Sequence, residues 1–216
     1  MKTRASSSRG AEARARPGVR AAAVGLLAAL LALGALTKIG DPRALGVLEL
    51  YAGHRRTEVR RAAVTALGAL ADPHASAVLL ERLGDETPEV RAAAAAALAA
   101  RNEVLAVPRL VRLVRRGDAG AAVPAGILAT PEGLTELCGM QGGAAEPVLA
   151  VALGTYLKRT DVADGTRIEP LRAIAKLHGV EATAALTEYL ASIPAHEIRS
   201  SRREAEHLLD ERGAER

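Results

Sequence analysis

Residues 56–73 read RTEVRRAAVTALGALADP, and residues 86–103 read ETPEVRAAAAAALAARNE. The chain states one pattern twice. Shifting it by 31 residues brings Leu36, Leu67 and Leu98 into register, and likewise Leu48, Leu79 and Leu110. Asp41-Pro42 falls on Asp72-Pro73, and the third copy has Glu103 at that place. A fixed period between about 20 and 50 residues is the signature of a solenoid. Each copy reads as helix, tight turn, helix. In the second copy Thr57 is the candidate N-cap of a first helix, A, with Val59, Ala63, Ala66, Leu67 and Leu70 on its apolar face. Asp72 then caps a second helix, B, with Pro73 at its first position, where a missing N–H is tolerated. Helix B runs through Val78, Leu79, Leu80 and Leu83 and ends near Gly84. The third copy repeats the cap-plus-proline opening at Thr87-Pro88-Glu89. One such hairpin cannot bury its own apolar face, so neighbouring copies must stack around a shared core.

Composition agrees with an all-α fold and sets the character of that core. Apolar residues make up 49% of the 216, but there is no Phe, no Trp and only Tyr51, Tyr156 and Tyr189. Ala and Leu therefore supply the burial, and both are strong helix formers. Lys and Arg in residues 1–20 outnumber acidic residues by five, which leaves the rest of the chain at −1 out of a total of +4. The basicity belongs to the tail and not to the repeats, which weighs against a body built to grip a polyanion. A single cysteine, Cys138, permits no internal disulfide.

The stretches EVRRAAVTALGALADP (58–73), PEVRAAAAAALAA (88–100) and TKIGDPRALGVLELY (37–51) resemble the HEAT-repeat family, in particular its short bacterial, phycobilisome-lyase-like type. The resemblance implies an α-solenoid of stacked antiparallel helical hairpins. It also implies that Arg60 and Arg91, in the Val-Arg pairs opening helix A, and Asp41 and Asp72, opening helix B, form a structural ladder between repeats. It covers about 37–116 and returns at LRAIAKLHGVEATAALTEYL (171–190), which reads as the end of a helix A, a turn at His178-Gly179, and a helix B.

The expected organisation is a basic disordered tail over 1–20 and a hydrophobic helix over 21–40 that merges into the first repeat. Regular repeats follow over 41–116, then an irregular region over 117–166, and a C-terminal repeat with a capping helix over 167–212. In the irregular region Ala121–Thr130 is expected as a degraded helix A containing Pro124, and Pro131–Met140 as a short helix B. A loop over 139–147 and a helix from Pro147 to about Lys158 come next. The terminal helix over 196–212 carries a thin apolar stripe of Ile198, Ala205, Leu208 and Leu209.

Residues 21–36, AAAVGLLAALLALGAL, are apolar on every side and follow basic residues. That is the form of a signal anchor or export signal, with the basic side held cytoplasmic. The competing reading is the first helix A of a cytoplasmic solenoid. The leucine register supports the second reading. The extra apolar turns at its start support the first.

No pattern of chemistry-bearing residues stands out. The five histidines lack the i, i+4 spacing around a Glu that a zinc helix needs. Cys138 has no partner Cys or nearby His in the sequence, and Gly142-Gly143 follows no strand. No catalytic residue, cofactor or metal is expected. One charged stripe is the candidate interaction surface: Arg109, Arg112 and Arg116 at i, i+3 and i+7 of the third helix B, with Arg115 beside them. In HEAT-type solenoids the B helices line the concave side. The leading expectation is a non-catalytic scaffold for a protein partner. The alternatives are a phycobilisome-lyase-like chromophore-attachment enzyme or subunit, and a nucleic-acid-binding solenoid. The last lacks the aromatic platforms on which bases stack.

Overall fold

The computed structural model describes residues 42–140, 145–194 and 196–214, with isolated positions between 28 and 38. The tail 1–20, most of 21–36, and Asp41 lie outside the described residues, so the expectations placed on them are not addressed by it. Among the described residues no helix is long and apolar enough to cross a membrane.

Eleven α-helices are described: α1 (Leu45–Ala52), α2 (Thr57–Ala69), α3 (Pro73–Arg82), α4 (Pro88–Ala100), α5 (Val107–Arg115), α6 (Ala122–Leu128), α7 (Pro131–Cys138), α8 (Glu146–Leu157), α9 (Ile168–Ala175), α10 (Val180–Ser192) and α11 (Ser200–Ala214). No strand occurs among the described residues. Short 3-10 turns lead into α1, α5, α6 and α9. The helices sort into two rows. Along the even row α2 packs on α4, α4 on α6, α6 on α8 and α8 on α10. Along the odd row α1 touches α3, α5 touches α7, α7 touches α9 and α9 touches α11. The rows also pack on each other, α1 and α3 on α2, α3 on α4, α5 on α6, α7 on α8, α9 on α8 and α10, and α11 on α10, which closes one continuous core. The fold is an α-solenoid of hairpins α2/α3, α4/α5, α6/α7, α8/α9 and α10/α11. The leucines in the 31-residue register mark its interior: Leu48, Leu67, Leu79, Leu98 and Leu110 are all fully buried.

The even row shows why Ala and Gly dominate the composition. A Cβ added at Gly68 of α2 would stand 2.7 Å from the Ala97 Cβ of α4. One added at Gly126 of α6 would stand 2.3 Å from the Ala152 carbonyl oxygen of α8, and one at Gly154 of α8 3.0 Å from the Ala185 Cβ of α10. Helices that meet backbone to backbone leave no room for an aromatic ring between them.

Helix starts depart from the expectation in detail. Asp72 caps α3 as expected, its carboxylate accepting from the His74 N–H at 2.8 Å. Thr57 is not a cap: it is the first helical residue, and Arg56 stands at the cap position without a side-chain bond to the helix. Thr87 does precede α4, but its hydroxyl makes no capping bond and instead accepts from Arg60 at 2.9 Å. Pro124 sits in the first turn of α6, where the preceding 3-10 turn (Ala119–Ala121), held by Asp118 accepting from the Gly120 N–H at 3.1 Å, replaces a regular helical opening.

The C-terminal hairpins reverse the expected A and B labels. Ile168–Ala175 packs on α7 and α11, so it belongs to the odd, B-type row, and Val180–Ser192 packs on α8 in the even, A-type row. The period explains the error. Even-row segments open at Thr57, Pro88 and Ala119, in steps of 31, but the next two open at Glu146 and Val180, in steps of 27 and 34. A fixed 31-residue register slides out of phase there. The cap α11 buries Ala205 and Leu208, but Ile198 lies before the helix and is 83% exposed, so it is not part of the stripe.

Candidate interaction surface

Two ladders of arginines bind successive hairpins together, and they decide which cations remain free. In the first, Arg60 of α2 reaches across the α3–α4 connection. Its Nε and Nη2 donate to the two carboxylate oxygens of Asp85 at 2.9 Å each, and its Nη1 donates to the backbone carbonyls of His54 and Arg55 at 3.0 and 3.3 Å. The pair is enclosed, with side-chain exposures of 7% and 5%. Burial pushes the Asp85 carboxyl upward, but the Arg60 guanidinium and the Thr87 N–H outweigh it and hold it below its ordinary value. One repeat later Arg91 of α4 bonds Asp118 and donates to the carbonyls of Asp85 and Glu86 at 2.9 and 3.1 Å. Asp72 takes a different part. It caps α3, while its backbone carbonyl accepts from Arg101 at 2.6 Å.

That Arg101 bond belongs to the second ladder, which the sequence reading missed. Arg101 at the end of α4 also donates to the carbonyl of Leu70, at the end of α2, and to the Ser76 hydroxyl at 3.0 Å. Arg159, just past α8, donates at 2.8 Å to the carbonyl of Ala129, just past α6. Arg212 of α11 donates to the carbonyls of Ala175 and Leu177 at 2.9 Å each, past the end of α9. Each cation satisfies orphan carbonyls at the negative end of a helix one hairpin back. The available signal was positional: an arginine 30 or 31 residues after a helix end for Arg159 and Arg101, and 35 to 37 for Arg212.

The four arginines singled out on α5 are all exposed, but the structure divides them. Arg109 donates to the Leu80 carbonyl of α3. Arg115 turns to the next hairpin, 3.5 Å from Glu136 of α7. Arg112 and Arg116 meet no carboxylate among the described residues. Together with Arg109 they line a groove of about 570 Å³ between α3 and α5, floored by Leu83, Gly84 and Leu113. Arg82 of α3, which the sequence reading passed over, joins them there. Its Nη1 donates to the Ala52 carbonyl at 3.3 Å, while its buried Nε–H finds no acceptor.

A second groove, of about 560 Å³, opens at the seam of α7, α8 and the chain leading to α9. It is lined by Leu134, Cys138, Tyr156, Arg159 and Glu169 among others. Burial, with Glu169 nearby, pushes the Cys138 thiol up to about 11. A thiol held that high is protonated at neutral pH and a poor nucleophile. Among the described residues no group of three or more His, Cys, Asp or Glu side chains is placed to hold a metal ion. The histidines serve local structure: His54 accepts from the Arg56 N–H at 3.1 Å, and the His178 N–H donates to Glu146 at 2.8 Å.

A match to a family model agrees with the repeat architecture over part of the chain. Residues 46–123 match the family model for HEAT repeats. Among solved structures, the complex of CpcE and CpcF of phycocyanin lyase from Nostoc sp. PCC7120 aligns with a TM-score of 0.46 at 17% identity, over 96% of this chain and 99% of that one. No curated protein sequence matches the chain.

Proposed function

We propose that the chain is a non-catalytic scaffold that binds a protein partner through the outer faces of its odd-numbered helices, taken as the concave side. The observation that carries this reading is the pairing state of the arginines. Arginines 60, 91, 101, 159 and 212 are spent inside the molecule on carboxylates and helix ends. Arg112 and Arg116 stand in solvent on the odd row with no carboxylate among the described residues. Hairpins locked to one another in this way present a rigid surface, and a rigid surface loses little freedom on binding.

The test is affinity purification of the tagged full chain from its host, in parallel with two charge-reversed variants. Arg112→Glu, on the odd row, should lose the specific partner. Arg61→Glu, on the exposed face of α2 in the even row, should keep it. A partner retained by the first variant and lost by the second would move the binding face to the other row. Recovery of no specific partner by any of the three would overturn the scaffold reading itself.

A further inference from the structure

We infer that the groove between α3 and α5 receives an acidic, extended protein segment carrying at least two carboxylates. This deepens the scaffold reading and rests on it. Four guanidiniums, those of Arg82, Arg109, Arg112 and Arg116, line the groove against one carboxylate, that of Glu81. Glu81 is already 3.5 Å from Arg82. Two of the four are held in place from behind. Arg82 is tethered to the Ala52 carbonyl and Arg109 to the Leu80 carbonyl, so both are fixed before any ligand arrives. Arg112 and Arg116 are exposed and have no carboxylate to displace.

The neighbouring groove continues this surface. It shares Leu83, Gly84, Leu113 and Arg116 and runs on past Asp85 and Asp118. Those two acids do not repel an incoming carboxylate as free charges would, because Arg60 and Arg91 hold them from the inner side. Glu89 also lines that neighbouring groove, exposed and with no cation beside it among the described residues, so the positive stretch ends at Arg116 and the acidic segment is confined to the α3–α5 groove.

Length selects the ligand further. From Arg112 to Arg116 is four residues, about 6 Å along a helix. An extended chain covers that in about two residues, so acidic side chains on alternate residues match the spacing. Planar guanidiniums take carboxylates in a fork geometry that an ammonium cannot reproduce. A nucleic acid is the less suited polyanion. None of the three tyrosines lines the groove, so bases have no ring to stack on.

Fluorescence anisotropy with three labelled probes tests this on the full chain. The probes are a peptide of about twelve residues alternating Glu and Ala, its Gln-for-Glu counterpart, and a single-stranded oligonucleotide of equal charge. The Glu peptide should bind, with affinity falling as salt rises, and the Gln peptide should bind at least about tenfold more weakly, the loss expected of a few charge-assisted hydrogen bonds. Arg112→Glu with Arg116→Glu should remove binding, and Arg112→Lys with Arg116→Lys should fall between. Both positions are exposed, and an unchanged circular dichroism spectrum checks that the variants fold. The inference fails if no peptide binds, if the double Glu variant binds the Glu peptide as well as the parent, or if the oligonucleotide binds more tightly and loses as much on charge reversal. A native partner lost on Arg112→Glu in purification, with no acidic peptide bound in anisotropy, would leave the scaffold standing and remove only the acidic segment.

Discussion

Along the even row, Gly126 faces a backbone carbonyl so close that a single added carbon would stand 2.3 Å from it. On the outer face of α5, Arg112 faces open solvent and a groove of about 570 Å³. The same repeat unit builds both. The even row is closed by small residues, by the enclosed Arg60–Asp85 bridge and by the half-buried Arg91–Asp118 bridge, so its side chains are fixed by their neighbours. The α3–α5 face is walled by long cations, Arg82 and Arg109 tethered to backbone carbonyls and Arg112 and Arg116 with no carboxylate among the described residues. Substitutions at the two places should therefore separate stability from binding.

The largest effect is expected at the first bridge. Arg60→Ala leaves the Asp85 carboxylate enclosed without its guanidinium, which costs about 3–5 kcal/mol when a buried pair is broken from one side. Urea unfolding followed by helical circular dichroism measures it, and a loss below 1 kcal/mol would show the bridge to be solvated. Next comes Gly126→Ala, with an expected loss of about 1–3 kcal/mol from overpacking. Gly68→Ala should cost less, because its contact is a methyl group at 2.7 Å rather than backbone. Gly154→Ala, at 3.0 Å, should be near neutral, since Ala gains about 1 kcal/mol of helix propensity over Gly. The order of the three, more than any one value, tests the backbone-to-backbone packing.

The pH dependence gives a smaller and more specific signal. Asp85 titrates below its ordinary value in the fold, so its contribution is present above the ordinary carboxyl range and is lost as pH falls through the lowered folded value. The parent should hold its stability from neutral pH down to about 5 and lose it below about 4. In Arg60→Ala the burial effect on Asp85 is opposed only by Thr87, so the carboxyl is no longer held as low. The stability gap between parent and variant should therefore narrow in acid, and a constant gap would remove Asp85 from the account. The smallest effect is expected on the open face. Arg112→Ala and Arg116→Ala should change stability by less than about 0.5 kcal/mol, whatever they do to binding. A larger loss would mean that these cations support the fold.

How far the sequence could be read follows from the same contrast. The leucine register, Asp72-Pro73 and the break near Pro124 were legible because burial and capping act on neighbours in the chain. Arg60 and Arg91 were legible as a repeated pair, but their acceptors, Asp85 and Asp118, were not, since each is chosen by the stacking of two connections. Arg101 and Arg159 were passed over because a helix-end arginine looks solvated until the preceding hairpin is placed against it. The row order held through α7 and failed at the C-terminal hairpins, because the spacing changes after Ala119 and periodicity lost its hold. The α5 stripe was visible in the sequence as one face. Its division into tethered Arg109, paired Arg115 and free Arg112 and Arg116 needed the third dimension.

The tyrosines carry a practical consequence. With no Trp or Phe, the near-ultraviolet signal comes from Tyr51 in α1, Tyr156 in α8 and Tyr189 in α10. The central stretch from α2 to α7 is optically silent. Tyr189 is buried, and its hydroxyl meets Ser201 at the start of the last helix, which in turn donates to Asp164 in the turn that leads into α9. Its emission should report the detachment of α11 as an event of its own. Fraying from the C-terminal end can thus be watched without labels, while melting of the middle shows only in the amide bands.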